Sequence, residues 1–473
     1  MGPIVASPTA TKASWKGLQA MNRRRFLRTT LAAGGGLTLM GRAAARSYAA
    51  NERVNVGLIG VSGRGTWFVD CMPGISNVVA MCDVNDYRAK KAYEAHPKAR
   101  KFRDFRKMLD EMGDGLDAVT IAVPDNTHAV AAAAAMRAGK GVLCEKPLTH
   151  DVYEARRMRL IGHRTKVATQ MGNQGTASGA FRRAVDLLWT GVLGEVREVY
   201  AWKDGGGAGE RPIPIEQHNC PSTLDWDLWL GPARYRPYNS RWAEWHTWRD
   251  FATGNLGNWA SHTLNVVFKG LRLDELWKDG AGVHTFNLEA KVTGTHEATF
   301  PRGEMIKYEF PARGDMPPVT VNWYNGGAQA MGWREPLEEK LGRKLDWGDA
   351  GEKRWDDHAG VLLVGSKSMM HSNGHNTVMT LLPQKQFEGF QDPPATLPRS
   401  RGHEREWLDA VKGGPAAMSN FEYSGPLAEF LLLGNVATLV EGPIEFDAAR
   451  CGITNNDKAN ALLRREYREG WKL

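Results

Sequence analysis

The sequence predicts an α/β chain of two domains, a doubly wound parallel sheet followed by an α+β domain. Three observations carry this reading. The chain has 473 residues of 42% hydrophobic composition, enough to bury a core and more than one compact unit holds. Short β-branched runs alternate with helical patterns between residues 54 and 144, as a parallel sheet with crossover helices requires. After about residue 175 the alternation gives way to successive strand-like runs.

The first run, residues 54–59, passes directly into Gly60-Val61-Ser62-Gly63-Arg64-Gly65 and then into a helical pattern from Thr66. Strand, tight glycine turn and helix in immediate succession are the parts of a Rossmann unit. There the first glycine makes the turn, the second admits backbone amides to a pyrophosphate and the third lets helix pack on strand. Ser62 stands at the middle glycine position with Gly63 beside it, so the motif alone also fits an ordinary turn. The next strand, residues 78–82, strengthens the dinucleotide reading. It ends in Asp83, 18 residues after Gly65, where a carboxylate holds the adenosine ribose hydroxyls and disfavours the extra phosphate of NADP. NAD is the expected cofactor, with Arg88 nearby keeping NADP open.

The alternation continues with a helical stretch containing Phe105, Met108 and Leu109, a strand at 118–123, an alanine-rich helix at 129–138 stopped by Gly139, and a strand at 141–144. The ligand is expected beyond the carboxyl ends of these strands. Those ends carry the glycine turn, Asp83, the segment Pro124-Asp125-Asn126-Thr127-His128 and Glu145-Lys146-Pro147. Beyond residue 175 a helix at 180–189 precedes strand-like stretches at 196–202, 290–295, 305–310 and 319–324. Residues 355–372 and 376–382 add short strand patterns, and 404–411 and 426–440 read as helices, the latter returning to the first domain. The predicted division is 1–50 as a signal region, 51–175, 176–440, and a tail at 441–473 packing on the body.

The formal charge of +8 invites a nucleic-acid reading, which its distribution rules out. Residues 1–50 hold eight Lys and Arg and no acid, leaving 53 bases against 53 acids in the rest of the chain. From Met21 the order is three arginines with Phe26-Leu27, a twelve-residue apolar stretch at 29–40, then Ala43-Ala44-Ala45 and Ala49-Ala50. Charged, apolar and cleavage regions in that order, with paired arginines, resemble a twin-arginine export signal at 21–49 cleaved after Ala45 or near Ala49. The alternative is a basic tail that binds something acidic. Twelve apolar residues are too few for a permanent span, which needs about 20. The expected location is the periplasm or outside the cell, reached folded through the twin-arginine machinery with a cofactor already loaded. The five cysteines are widely spaced and without a Cys-x-x-Cys pair, so neither a disulfide framework nor a zinc site is indicated.

Glu145-Lys146-Pro147 after a Pro-Asp-x-Thr-His segment resembles the Gfo/Idh/MocA family of nicotinamide-dependent oxidoreductases. The similarity continues through Gln170-Met171-Gly172-Asn173-Gln174, the Leu-Asp-Trp-Asp-Leu-Trp-Leu-Gly-Pro-Ala block at 224–233, the Gly-x-Leu-Gly-x-x-x-x-His stretch from Gly254 to His262, and the ending Tyr467-Arg468-Glu469-Gly470-Trp471. The block and the ending look like a secreted bacterial branch. The resemblance implies a C-terminal domain with an open, mainly antiparallel sheet, a homo-oligomer (dimer or tetramer), and a sugar or polyol bound between the domains. It also implies cofactor contacts from Gly60, Ser62, Gly63, Arg64, Gly65, Asp83, Pro124, Asn126, His128, Glu145 and Lys146.

Oxidising a secondary alcohol requires a base for the hydroxyl proton, a hydride acceptor and a polar group holding the oxygen. By motif position Lys146 is the family's lysine, which as an ammonium favours a developing alkoxide; the plain alternative is a solvated lysine ending a strand. His262 matches the family's proton-transferring histidine, the alternative being a structural histidine in a polar turn. Positions often occupied by aspartate around this histidine are Asn258 and Asn265 here. An asparagine amide selects a different imidazole tautomer, and a comparable change in a catalytic triad costs on the order of 10⁴ in rate. The proton step therefore falls to a weakened His262 or to Lys146, and Asn258 is also a sugar contact.

The segment between the motifs is rich in tryptophan: Trp226, Trp229, Trp242, Trp245, Trp248 and Trp259. Indole faces stack on sugar rings, although most of these side chains are expected in the core. His246, Trp248 and Arg249 are the candidates for substrate contact, with Asn173 and Gln174 added by motif position. No spacing argues for a metal. Segments 203–250 and 325–400 read as loops able to cover the cleft.

The first function expected is NAD-dependent oxidoreduction at a ring carbon of a sugar, glycoside or cyclic polyol. The second is a glycoside hydrolase or lyase working through transient C3 oxidation and elimination. The third is a non-catalytic sugar-binding subunit.

Overall fold

The computed structural model describes residues 52–294, 297–326, 332–341 and 358–473. The export-signal reading at 21–49 lies outside them. The first sheet has six parallel strands: β1 (Asn55–Ile59), β2 (Asn77–Cys82), β3 (Arg100–Phe102), β4 (Ala118–Ile121), β5 (Gly141–Glu145) and β6 (Thr169–Gly172), in the order β3-β2-β1-β4-β5-β6. This is the doubly wound order with its crevice between β1 and β4. Strands β4 and β5 are buried along their whole length, which is why they read as continuous apolar runs. Five helices complete the domain: α1 (Thr66–Cys71), α2 (Asp86–Ala95), α3 (Phe105–Met112), α4 (Asp125–Arg137) and α5 (Val152–Thr165). Asn85 caps α2 and a capping box of Asp151 and Glu154 starts α5. The short polar edge strand β3, Arg-Lys-Phe, had no signature in the sequence and is made by pairing with β2.

The second domain opens with α6 (Gly179–Trp189) and is built on a nine-stranded sheet: β7 (Val196–Lys203), β8 (Thr285–Thr293), β9 (Gly303–Phe310), β10 (Val319–Asn325), β11 (Ala359–Gly365), β12 (Met369–Asn373), β13 (Met379–Leu382), β14 (Ile444–Asp447) and β15 (Gly452–Ile453). Its order is β13-β12-β11-β7-β10-β9-β8-β14-β15, and β7 with β10 is the parallel pair among otherwise antiparallel neighbours. Helices α7 (Trp226–Leu230), α8 (Asn265–Gly270), α9 (Arg334–Leu341), α10 (His403–Val411) and α11 (Phe421–Ala437) complete the set used below. Within residues 441–473, expected as a tail packing on the body, β14 and β15 extend the sheet, Phe446 pairing with Phe286 of β8, and the residues after them pack on the body through Arg465 and Arg468.

Helix α11 was expected from residue 426, because proline suits a first helical turn. It begins five residues earlier, since the Asn420 side chain accepts the amides of Glu422 and Tyr423 and leaves Pro426 inside the helix. It packs on α5 of the first domain, where a Cβ at Gly425 would lie 3.0 Å from Arg159. Across this contact Arg156 forms a bidentate pair with Glu429 at 2.7 and 2.8 Å, and Trp277 Nε1 donates to the same carboxylate at 2.8 Å. Glu429 is fully buried. Removing one member of a buried, hydrogen-bonded pair strands the other, so Glu429→Ala is expected to lower stability by about 3–5 kcal/mol. Urea unfolding of the variant against the parent measures this; a loss under about 1 kcal/mol would show that water replaces the carboxylate.

Candidate active site between the strand ends and an aromatic strap

The carboxyl ends of β1, β2, β4 and β5 wall a cavity of about 790 Å³. Gly60 has φ +80°, and a Cβ there would sit 2.1 Å from the Ala122 carbonyl oxygen; a Cβ at Gly65 would sit 2.2 Å from that of Gly60. Gly60 is therefore demanded by the close approach of the turn to the end of β4, and Gly65 by the folding of the turn back on its own Gly60 carbonyl. Gly63, at φ +57°, has open space around it. Asp83 is buried at the end of β2, where it accepts from Val61 N at 3.1 Å, Ser62 Oγ at 3.2 Å and Asn85 N at 2.9 Å. Burial pushes its carboxyl up, against those donors and the nearby Arg88. The open turn at Gly63, the buried acid beside it and the long cavity fit an adenosine diphosphate moiety.

At the other end, Glu145 is buried and ties three elements together. It accepts from Arg64 Nε of the glycine turn at 2.7 Å, from Gln174 Nε2 beyond β6 at 3.0 Å, and from the Lys146 amide. Lys146 lines the cavity and its Nζ donates to Asn258 Oδ1. Burial lowers the Lys146 amine, and Glu145 and Asp125 oppose that shift. Asp125 also lines the cavity, accepts from Thr253 Oγ1 at 2.6 Å, and is itself pushed up by burial.

His262 follows Asn258 by four residues and is buried, its Nδ1 without a hydrogen-bond partner among the described residues and its ring 4.8 Å from that of His375. Burial holds it well below the usual imidazole range, with Lys146 and His375 adding to the shift. Neither asparagine expected to select its tautomer does so. Asn258 serves Lys146, while Asn265 donates to Thr176 Oγ1 at 2.9 Å and accepts from Tyr423 at 2.8 Å.

Of the expected site residues, Gly60, Ser62, Gly63, Arg64, Asp83, Pro124, His128, Glu145, Lys146, His246 and Asn258 line the cavity. The others stand outside its wall. Asn126 donates to the Leu230 carbonyl at 2.9 Å and joins α4 to α7. Asn173 accepts from Ser419 behind β6. Trp248 is buried against Trp242, its Nε1 bonded to the Arg241 carbonyl at 2.9 Å. Arg249 lies over Phe300 and bonds Thr299 O and Thr438 Oγ1. The expectation of substrate contact from Trp248 and Arg249 is thus corrected: Trp248 packs inside the segment that closes the cavity, and Arg249 turns away from the cavity onto Phe300, Thr299 and Thr438. His128, although on the wall, has both ring nitrogens at carbonyls, Pro147 O at 2.7 Å and Val123 O at 2.9 Å, which clamps the two strand ends together.

The closing segment, residues 204–251, carries its own small core of Leu230, Ala233, Trp242, Trp248 and Phe251, so it is a folded strap. Four of its other aromatics, Trp226, Trp229, Tyr238 and Trp245, line the cavity. Trp226 and Trp229 stack at 4.7 Å, Tyr238 meets Trp226 edge-on at 5.1 Å, and Trp245 stacks on His246 at 3.6 Å. These wall positions were missed, as was Trp471, because tryptophans in an irregular segment have no periodicity to divide core from cavity.

Two family models match in succession: "Oxidoreductase family, NAD-binding Rossmann fold" over residues 54–173, and "Oxidoreductase family, C-terminal alpha/beta domain" over 195–288. This chain thus matches the Gfo/Idh/MocA oxidoreductase family over residues 54–173 and 195–288. Its first domain is accordingly an NAD-binding Rossmann domain. Among curated relatives, inositol 2-dehydrogenase 1 of Saccharopolyspora erythraea is 36% identical over 115 residues, 23% of this chain and 33% of that protein. A glycosyl hydrolase family 109 protein of the same organism is 33% identical over 161 residues, 28% of this chain and 34% of that protein. The matched region thus spans about a third of these relatives' length. Among solved structures, levoglucosan dehydrogenase in complex with NADH and levoglucosan has a TM-score of 0.55 at 15% identity, covering 83% of this chain and 99% of that one, and shares the fold.

Proposed function

We propose that this chain is an exported oxidoreductase that moves hydride between a retained NAD and a ring CH–OH carbon of a sugar, glycoside or cyclic polyol. The observation that carries the proposal is one cavity with Asp83 and the glycine turn at one end and the Lys146–Asn258 pair at the other. A bound nicotinamide supplies hydride acceptance and return. The chain's own residues supply the rest. Lys146 as a neutral amine takes the hydroxyl proton on Nζ, and the ammonium so formed donates to the carbonyl oxygen of the product. Asn258 aims that amine through an uncharged oxygen, and burial lowers its pKa against the opposing charges of Glu145 and Asp125. His262, buried outside the wall and held neutral, takes no part in this step. His246 on Trp245 offers a hydrogen bond and an apolar face to a sugar ring.

A second reading is redox-neutral glycoside cleavage through transient oxidation. It is favoured by the similarity to the family 109 protein and by the strap over the cleft. Export fits either reading only with a cofactor that stays bound.

Denaturing the purified chain and weighing the released small molecule by mass spectrometry tests the cofactor; NAD or NADH is expected. Assays over a panel of glycosides and polyols then separate the readings. Steady NADH formation supports net dehydrogenation, and aglycone release without NADH supports cleavage. Sugar affinity without turnover, unchanged in Lys146→Ala, would replace both with a non-catalytic binding role.

A further inference from the structure

The ending of the chain folds back on the strap and on the Rossmann domain at the adenosine end of the cavity. Arg465 is buried among Glu154 at 2.8 Å, Asp151 at 3.7 Å and the Asn126 carbonyl at 2.6 Å, and Tyr467 donates to Glu154. Arg468 reaches the strap itself, bonding Gly231 O and Asp227 Oδ1 at 2.6 Å each, while its amide donates to Pro232 O at 3.2 Å. Trp471 then lies against Phe105 at 6.2 Å with the Arg106 guanidinium 4.5 Å over its ring, and it lines the cavity. The strap meets the same end from the other side. Asp86 N donates to Thr223 O and Asp225 N to Val84 O, both at 2.9 Å, placing Leu224 and Trp226 on the wall next to Asp83. The adenosine end is therefore enclosed by two segments that lie outside the Rossmann domain, each fastened to it and to the other.

We propose that Trp471 is a dinucleotide-binding residue, walling the adenine with Trp226, and that Arg468 latches the strap so that the cofactor stays bound through turnover. The inference rests on the NAD reading above. An apolar, aromatic enclosure suits a purine face, and base–aromatic stacking weakens by about fivefold to 100-fold per ring removed. A strap held by charge-assisted hydrogen bonds from Arg468 on one face and by backbone hydrogen bonds to Val84 and Asp86 on the other makes release depend on breaking them.

The test follows exchange of bound NAD for added isotope-labelled NAD in the full chain, read by mass spectrometry. Slow exchange is expected for the parent, exchange about tenfold faster or more for Trp471→Ala and Arg468→Ala, and near-parental exchange for Trp471→Phe. Emptied protein gives the second readout. Trp471→Ala is expected to weaken ADP-ribose binding about tenfold and to leave nicotinamide mononucleotide binding unchanged, a contrast that general loosening of the fold does not produce. Equal losses for both ligands, or parental exchange rates in both alanine variants, overturn the assignment while leaving the NAD reading intact. A parent chain that binds no dinucleotide overturns that reading and this inference together.

Discussion

Replacing Lys146 with methionine is expected to lower kcat by about 10²–10⁴-fold on whichever CH–OH substrate the chain turns over, the range that one positioned acid–base group supplies. Methionine keeps the length of the stem and removes the donor. NAD affinity should change little, because the adenosine end is held by Asp83 and the glycine turn. The same pair predicts a pH effect of definite sign. Lys146 is lowered by burial and faces an uncharged amide at Asn258. Asn258→Asp would place a carboxylate against Nζ, favour the ammonium and raise its pKa. As the base must be neutral to accept the proton, the acid limb of the kcat/KM profile should move to higher pH. A limb that stays in place in Asn258→Asp would assign the proton to another group, His262 first among them.

Gly60→Ala is expected to abolish measurable NAD binding, a loss of at least about 100-fold. The added carbon would lie 2.1 Å from the Ala122 carbonyl oxygen, on backbone that has no freedom to retreat, and at φ +80°. The turn must then separate from β4, which deforms the surface that takes the pyrophosphate. Gly63→Ala is the control. It has the same sign of φ, but its nearest neighbour is the Arg88 side chain at 3.8 Å. Only the left-handed strain of about 1–2 kcal/mol applies there. Titration calorimetry with NAD, beside thermal unfolding to confirm the fold, distinguishes them. Equal affinities for the two variants would mean that the close approach at Gly60 is not what shapes the site.

What the sequence made legible, and where it stopped, follows from the range over which each residue acts. Gly60, Asp83 and Lys146 sit at the ends of their own strands, so position along the chain is position in the site. The strands themselves announce their burial through continuous apolar runs. Asn126 and His128 are in the right segment, yet their partners are Leu230, Pro147 and Val123, and Leu230 is set by a fold 104 residues away in the chain. The tryptophans show the boundary most clearly. Trp226 and Trp248 are the same residue in the same irregular segment, and one faces the cavity while the other fills the strap's core.

By itself the sequence determined the doubly wound first domain, the strand-rich second domain, the glycine turn with its acid, and the lysine at the end of β5, because each is written in local spacing and periodicity. Tertiary structure alone decided that Asn258 serves Lys146 rather than His262, that Arg249 and Trp248 turn away from the cavity, and that Trp471 reaches Phe105 across more than three hundred residues. Those outcomes depend on which surfaces exclude water when the strap, the ending and the first sheet close together, and local spacing carries no record of that closure.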